Sequence, residues 1–349
     1  MPHPASAAPS PPPAVQADPE PGARSPRLDD DAPLRLLCSA NERFALSLAV
    51  MLHSALTHTT SRPTMDIVVA DMGLSTTSRR KLQAVVHRAP LDASIRFRQP
   101  DVGTLEGLYT NDWHRLPIYF RLLMDQLVPD DWDRLLYLDS DVLVQADLGR
   151  LWRTPIGDGV ALGVIDFRVP TVWWRDELRD VYTDALHLPP ETPYCNSGVM
   201  LLNLKAWRAE NIGQRSLAFL RQYPDHTYYP DQDALNAIIA GRWTLVDPRW
   251  NVALSAVPYY GYPDQETPAM RDEQTCLLND PFIIHYTGPS KPWHHLYRRE
   301  FSDRFLDMLR QSGWLDAPQS WWWMGSRRVT HTAAHTAQRA ARAVGATDL

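Results

Sequence analysis

The sequence predicts an α/β protein built on a mostly parallel, Rossmann-like central sheet with helices on its faces. Two observations carry that expectation. Short apolar runs of strand length alternate down the chain with stretches whose apolar residues fall at helical spacing, the rhythm of strand–helix–strand units. The run Leu135-Leu136-Tyr137-Leu138 is apolar at every position, as a strand covered on both faces must be. A chain of 349 residues accommodates one large α/β domain with appendages or two small domains. The expected division is a tail over 1–33, a single domain over 34–312 and an appendage over 313–349.

Taken in order, residues 1–33 are rich in Pro, Ala, Ser and Asp and nearly devoid of large apolar side chains, so they are expected to stay disordered. Leu34 to Cys38 reads as the first strand. Asn41 to Thr57 reads as an amphipathic helix with Phe44, Leu48, Met51 and Leu52 on one face. Between them, Ser39-Ala40-Asn41-Glu42 forms the small, polar mouth of a strand-to-helix turn. It carries no GxGxxG or Walker A pattern, which disfavours dinucleotide and P-loop binding. Met65 to Ala70 is a second strand, Ser78 to His87 a helix and Ser94 to Phe97 a short strand.

Leu116 to Val128 has helical spacing at Tyr119, Leu122, Leu123 and Leu127, with Arg121 among them. An Arg on such a face snorkels to solvent more often than it meets a ligand. The central strand follows, then a strand at Val160 to Ile165. Trp173 to Leu188, aromatic and charged, has the character of a lid or acceptor wall. Tyr194 to Leu204 is an apolar strand opened by a small polar turn, and a helix over Lys205 to Tyr223 follows. Pro230-Asp231-Gln232-Asp233 introduces a helix over Ala234 to Ala240. Phe282 to His285 is the last strand, and a helix over Leu296 to Arg310 closes the domain.

Composition excludes several classes. A net charge of −6 leaves no basic face for nucleic acid, and 44% hydrophobic residues suit a globular enzyme. Cys38, Cys195 and Cys276 are far apart and form no CxxC, so neither a zinc ribbon nor a disulfide framework is expected. No apolar run reaches the roughly 18 residues of a membrane span, and the start lacks signal-peptide character, so a cytoplasmic protein is expected.

The chemistry gathers at Asp139-Ser140-Asp141, just beyond the carboxyl end of the central strand, where open α/β sheets bind ligands. In extended chain, residues i and i+2 point to one side, so the two carboxylates can face one hard divalent cation. The triplet alone fits a capped turn equally well. Three further stretches stand beside it. His285 ends a strand, and a neutral imidazole is a good third ligand for Mn²⁺. Gly288 and Lys291 follow within six residues, an open backbone turn and a cation suited to a diphosphate. Asp231 reads by default as a helix N-cap, a role that leaves its neighbour Gln232 unexplained.

Together the motifs LYLDSDVLV, CNSGVMLLNL, YPDQDALN and HYTGPSKPW, in this order, resemble glycosyltransferase family 8, the retaining sugar-nucleotide transferases that include bacterial lipopolysaccharide galactosyltransferases and the glycogenins. The resemblance spans about Leu34 to Trp293. It implies a GT-A fold, a UDP-sugar donor and Mn²⁺ (or Mg²⁺) as cofactor. It implies that Asp139, Asp141 and His285 hold the metal, with Asp139 also on the donor ribose and Ser140 beside them. Gly288 and Lys291 would then hold the diphosphate, Arg121 in IYFRL the donor, and the catalytic set Asn196, Asp231 and Gln232 the sugar. A double displacement would take Gln232 or Asp231 as its nucleophile, and same-face attack assisted by the leaving phosphate is the preferred alternative. Ser39 and Asn41 stand where the family reads uracil, although the family's usual aromatic at that turn has no clear counterpart in Ser39-Ala40-Asn41-Glu42-Arg43-Phe44.

The implied partners are a UDP-hexose and a glycan or glycolipid acceptor. The appendage, with Trp321-Trp322-Trp323 and Arg327, Arg328, Arg339 and Arg342, suits either peripheral contact with the inner face of the cell membrane or a packed terminal helix. Two competing readings remain at this stage. A haloacid-dehalogenase phosphatase also begins with four apolar residues and DxDxLV, but needs a downstream Lys at its site, for which Lys205 is the candidate. The third is a non-catalytic sugar-nucleotide-binding protein.

Overall fold

A computed structural model describes residues 32–108, 116–225, 227–254, 275–294 and 301–315. Seven strands form the main sheet in the order β3-β2-β1-β4-β7-β6-β8. They are β1 (Leu34–Ala40), β2 (Thr64–Asp71), β3 (Asp92–Arg98), β4 (Arg134–Leu138), β6 (Ala161–Ile165), β7 (Cys195–Asn203) and β8 (Trp243–Leu245). Four of the six pairings are parallel: β1 with β2, β1 with β4, β2 with β3, and β6 with β8. β7 is antiparallel to both of its neighbours. It is nevertheless buried from Cys195 to Leu202 and apolar from Val199 to Leu202, because a continuous apolar run reports burial on both faces and not strand direction.

The main sheet separates two cores by simple alternation. Leu34, Leu36 and Cys38 of β1 and Leu136 and Leu138 of β4 face one core; Leu37, Leu135 and Tyr137 face the other. On the first side lie α1 (Ala45–His58), α2 (Thr76–Arg88), the closing helix Ser302–Ser312 and a second, small sheet. That sheet comprises β5 (Val142–Val144), β9 (Val252–Ala253) and β10 (Ile283–His285) in the order β5-β10-β9, with β10 antiparallel to β5 and parallel to β9. The expected amphipathic first helix is buried nearly all round, because it lies between the main sheet on one side and β5 and the closing helix on the other. The Val144 amide donates to Ser54 Oγ on its far face (3.1 Å).

Several helices differ from expectation. Leu116–Leu123 is a 3₁₀ helix ending in one α turn, α3 (Met124–Leu127). The helix expected over 205–223 is two, α5 (Leu204–Ala209) and α6 (Ile212–Gln222), broken where Asn211 adopts φ 53°, the left-handed region that Asn tolerates better than most residues. A short helix α4 (Leu148–Arg153) follows β5. α7 (Pro230–Ile238) starts at Pro230, so the PDQD stretch is its first turn rather than its lead-in. Pro suits that position, where no intrahelical N–H is needed. The closing helix begins at Ser302, and residues 295–300 lie outside the described residues. So do the tail to residue 31, most of Ala256 to Asp280, an irregular stretch whose sequence is expected to form a second part of the acceptor wall, and the appendage from 316 onward. Trp314, just after the closing helix, belongs to the first core. Among the described residues no helix is long and apolar enough to cross a membrane.

Candidate active site

The two sheets meet at the DSD triplet. The Asp139 amide donates to Gly198 O on β7 (2.8 Å), extending the main-sheet ladder by one residue. Ser140, buried, turns the chain, and Asp141 stands immediately before β5, where its carbonyl accepts from the Tyr286 amide (3.0 Å). The expected convergence of the carboxylates holds, but a turn between two sheets produces it rather than extended chain, and Asp141 precedes a strand instead of following one. His285 ends β10 as expected. Its Nε2 lies 3.3 Å from Asp141 Oδ1 and 3.7 Å from Asp139 Oδ2. One ligand atom from each of the three lies within 4.8 Å of the others. Two carboxylates and an imidazole are a hard-to-borderline donor set that fits Mn²⁺ or Mg²⁺.

β7 must come close for this to form. A Cβ on Gly198 would stand 2.3 Å from His285 Cε1 and 2.8 Å from Asp139 Oδ2, so only glycine fits beneath the cluster. Lys291 is buried against it, Nζ donating to Asp141 Oδ2 (2.5 Å) and to Tyr286 O (2.7 Å). A solvated surface lysine is thereby ruled out. Burial pushes the Asp141 carboxyl up, but the Lys291 ammonium and His285 outweigh it and hold the group below the usual carboxylate range. Gly288, with φ 87°, takes the left-handed conformation that the turn into Lys291 requires.

Arg121 does not snorkel. Its side chain is 12% exposed and bridges two acids, Nη2 to Asp139 Oδ1 (2.8 Å) and Nε to Asp231 Oδ2 (2.7 Å). Its remaining nitrogen donates to Ser197 O (2.9 Å) and Ser197 Oγ (2.7 Å). Tyr137, whose phenol is pushed up by burial and so stays protonated, donates to Asp139 Oδ1 (2.8 Å). Asp231 is not an N-cap: Tyr229 holds that position, and Asp231 sits in the first turn facing Arg121. Its carboxyl is raised by burial, with Arg121 pulling down and Asp139 pushing up.

Gln232 has both ends engaged. Oε1 accepts from the Ser197 amide (3.0 Å) and Nε2 donates to Asp166 Oδ2 (3.0 Å). Asn196 Nδ2 donates to the same Asp166 oxygen (3.0 Å), while its Oδ1 accepts from the Gly198 amide (3.0 Å) and Asn251 Nδ2 (2.9 Å). Asn251 Oδ1 in turn meets His285 Nδ1 at 2.9 Å. Asp166 and Asn251 were not anticipated from sequence. Asp166 directly follows β6, and the strand-end rule that flagged the DSD would have flagged it too; Asn251 carries no comparable signal.

Ser39 and Asn41 lie half-buried at the carboxyl end of β1, the strand next to β4. Asn41 Oδ1 accepts from the Arg43 amide (3.0 Å), capping a 3₁₀ turn. Phe44 packs edge-on to Trp293 with centroids 5.8 Å apart, which sets this turn beside the one carrying Gly288 and Lys291. The segment expected as a lid is fastened by Arg175, which grips Asp233 through Nε (2.8 Å) and Nη2 (3.0 Å). Lys205 is exposed on α5, beyond the opposite end of β7, so the lysine that the phosphatase reading nominated lies away from the cluster.

This site on this fold defines a glycosyltransferase of the GT-A type. The chain belongs to the family described as glycosyl transferase family 8, whose model matches residues 35–296. It is similar to general stress protein A of Bacillus subtilis (strain 168), 24% identical over 81% of this chain and 96% of that protein. It is also similar to the lipopolysaccharide 1,2-glucosyltransferase of Escherichia coli (strain K12), 30% identical over 59% of this chain and 57% of that one. Against such lipopolysaccharide enzymes the chain spans little more than half of their length. Among solved structures, the galactosyltransferase LgtC in complex with donor and acceptor sugar analogs matches 84% of this chain and 100% of its own, with 27% identity and a TM-score of 0.66.

Proposed function

We propose that this chain is a retaining hexosyltransferase that moves glucose or galactose from a UDP-sugar to a hydroxyl of a cell-surface glycan or glycolipid, on the cytoplasmic side of the membrane. The observation that carries the reading is the cluster of Asp139, Asp141 and His285 with the Lys291 ammonium lodged against it. The names of the relatives supply the substrate class. Asp139, Asp141 and His285 would hold Mn²⁺ or Mg²⁺, which supplies Lewis-acid neutralisation of the charge developing on the departing diphosphate. Lys291, shared between Asp141 and the diphosphate, adds a second positive charge at the leaving group, and Gly288 lets the backbone approach it.

Arg121, Asp231 and Asn196 shape the sugar pocket, and Ser39 and Asn41 the base site. Gln232, its amide held at both ends, is a positioning group rather than a nucleophile, and Asp231 is tied up in an ion pair with Arg121. Both facts favour attack by the acceptor hydroxyl on the face that the diphosphate leaves. The decisive assay is incubation with UDP-glucose, UDP-galactose and other UDP-sugars, with and without Mn²⁺, following free UDP. Metal-dependent UDP release with one of them is expected. No release and no metal-dependent UDP binding would overturn the reading; binding without release would leave a sugar-nucleotide-binding protein. We further assign the appendage, through Trp321 to Trp323 and the arginines after them, to peripheral contact with anionic lipid.

A further inference from the structure

Asn251 ends the 3₁₀ turn Pro248–Asn251 just ahead of β9 and is 1% exposed. Which end of its amide faces which neighbour is decided by the groups at the far end of a hydrogen-bonded chain. The Asp166 carboxylate, when ionised, only accepts, so the Asn196 group facing it at 3.0 Å is the NH₂. Asn196 Oδ1 then points the other way, which the Gly198 amide confirms by donating to it at 3.0 Å. Asn251 must therefore give its NH₂ to Asn196 (2.9 Å) and turn its oxygen to His285 Nδ1 (2.9 Å). A carboxamide oxygen only accepts, so the imidazole carries a proton on Nδ1. Nε2 is the nitrogen left to face Asp139 and Asp141, at 3.7 and 3.3 Å.

We infer that Asn251 is a positioning residue that locks His285 with its proton on Nδ1, through the relay Asp166–Asn196–Asn251–His285, so that Nε2 points its lone pair into the carboxylate pair as a metal ligand. The inference rests on the proposal that His285 is such a ligand. A ligating imidazole anchored through its other nitrogen keeps its orientation and gains basicity, and loss of such an anchor costs about 10- to 100-fold in metal affinity. The relay also joins the cation to the sugar pocket, because Asp166 holds Gln232 as well.

The test reads Mn²⁺ affinity by the electron paramagnetic resonance signal of free Mn²⁺, independent of turnover. Asn251→Leu removes the acceptor and should bind Mn²⁺ at least 10-fold more weakly. Asn251→Asp keeps an acceptor for Nδ1 and should bind within a few-fold of wild type or tighter. Wild-type affinity in Asn251→Leu, or an equal loss in both variants, overturns the inference. Should Asn251→Leu fail to fold, the wild-type protein decides. With UDP and Mg²⁺, long-range ¹H–¹⁵N spectra of ¹⁵N-histidine-labelled protein should show a proton on Nδ1 of the imidazole whose signals vanish in His285→Gln. A proton on Nε2 instead overturns it. His285→Gln also separates the two claims: unchanged Mn²⁺ affinity there strikes the metal site itself, whereas loss there with wild-type affinity in Asn251→Leu strikes only the relay.

Discussion

At Asp141 one carboxylate serves two partners, since the oxygen not facing His285 is held by the buried ammonium of Lys291. From sequence, Asp141→Asn looks harmless to folding because an Asp at a strand end packs nothing. The structure changes that expectation. Removing one member of a buried pair strands the other, so the ligand-free variant should be less stable by about 1–3 kcal/mol in urea denaturation, and Mn²⁺-dependent UDP binding should fall by orders of magnitude. Adding Lys291→Met should restore part of the stability and none of the binding. A single variant as stable as wild type would sink the coupling. The sign with pH follows from the lowered carboxyl: its stabilisation is present above the unfolded value of about 3.9 and is lost as pH falls through the folded one. Wild type should therefore lose stability more steeply in acid than Asp141→Asn. Asp139, Asp141 and His285 were legible in the sequence as candidates because few residue types are able to ligate a hard cation. Asp166 and Asn251 were not, since a single Asp or Asn in a loop has many commoner uses.

Arg121 reaches its two acids from a 3₁₀ helix packed against the start of α6. Gly213 makes that contact possible: a Cβ there would stand 2.1 Å from Leu122 O, one residue from Arg121. Gly213→Ala should push the two elements apart, costing about 1–3 kcal/mol of stability and shifting Arg121 away from Asp139 and Asp231. Thermal melts and a UDP-sugar titration would read both effects, and wild-type values in both would show that the contact yields without consequence. Spacing in the sequence identified the apolar face of this segment, but over eight residues periods of 3.0 and 3.6 are hardly separable. β5 and β9 of the small sheet were illegible for a related reason, being three and two residues long and so too short to alternate, whereas β10 was legible as the last strand. Strand direction in β7 was hidden because burial on both faces erases the pattern that would reveal it. The long strands and helices around them were legible because each fills a full period of its own pattern.

For the molecule as a whole, the appendage is proposed to act apart from the chemistry. Truncation before Gln319 should leave Mn²⁺-dependent UDP release nearly unchanged while abolishing sedimentation with anionic vesicles. Equal sedimentation of both forms would remove the membrane role, and a collapse in melting temperature would favour a packed terminal helix. Trp314, already part of the core, lies upstream of that cut.

The seam between the two sheets has a further consequence. Asp139 belongs to the main-sheet ladder, His285 to the small one, and Asp141 to the turn that leads from β4 of the first to β5 of the second. A cation gripping all three would act as a clasp, so that peeling the small sheet away from the main one becomes an event that must also release the ion. Local opening there should grow rarer as the site fills. Hydrogen exchange at the Tyr286 and Leu254 amides, which bond Asp141 O and His285 O, should slow on adding Mg²⁺ and UDP, while the β2–β3 edge exchanges as before. Unchanged exchange at both amides would show that the sheets hold together without help, and that the ion there serves chemistry alone.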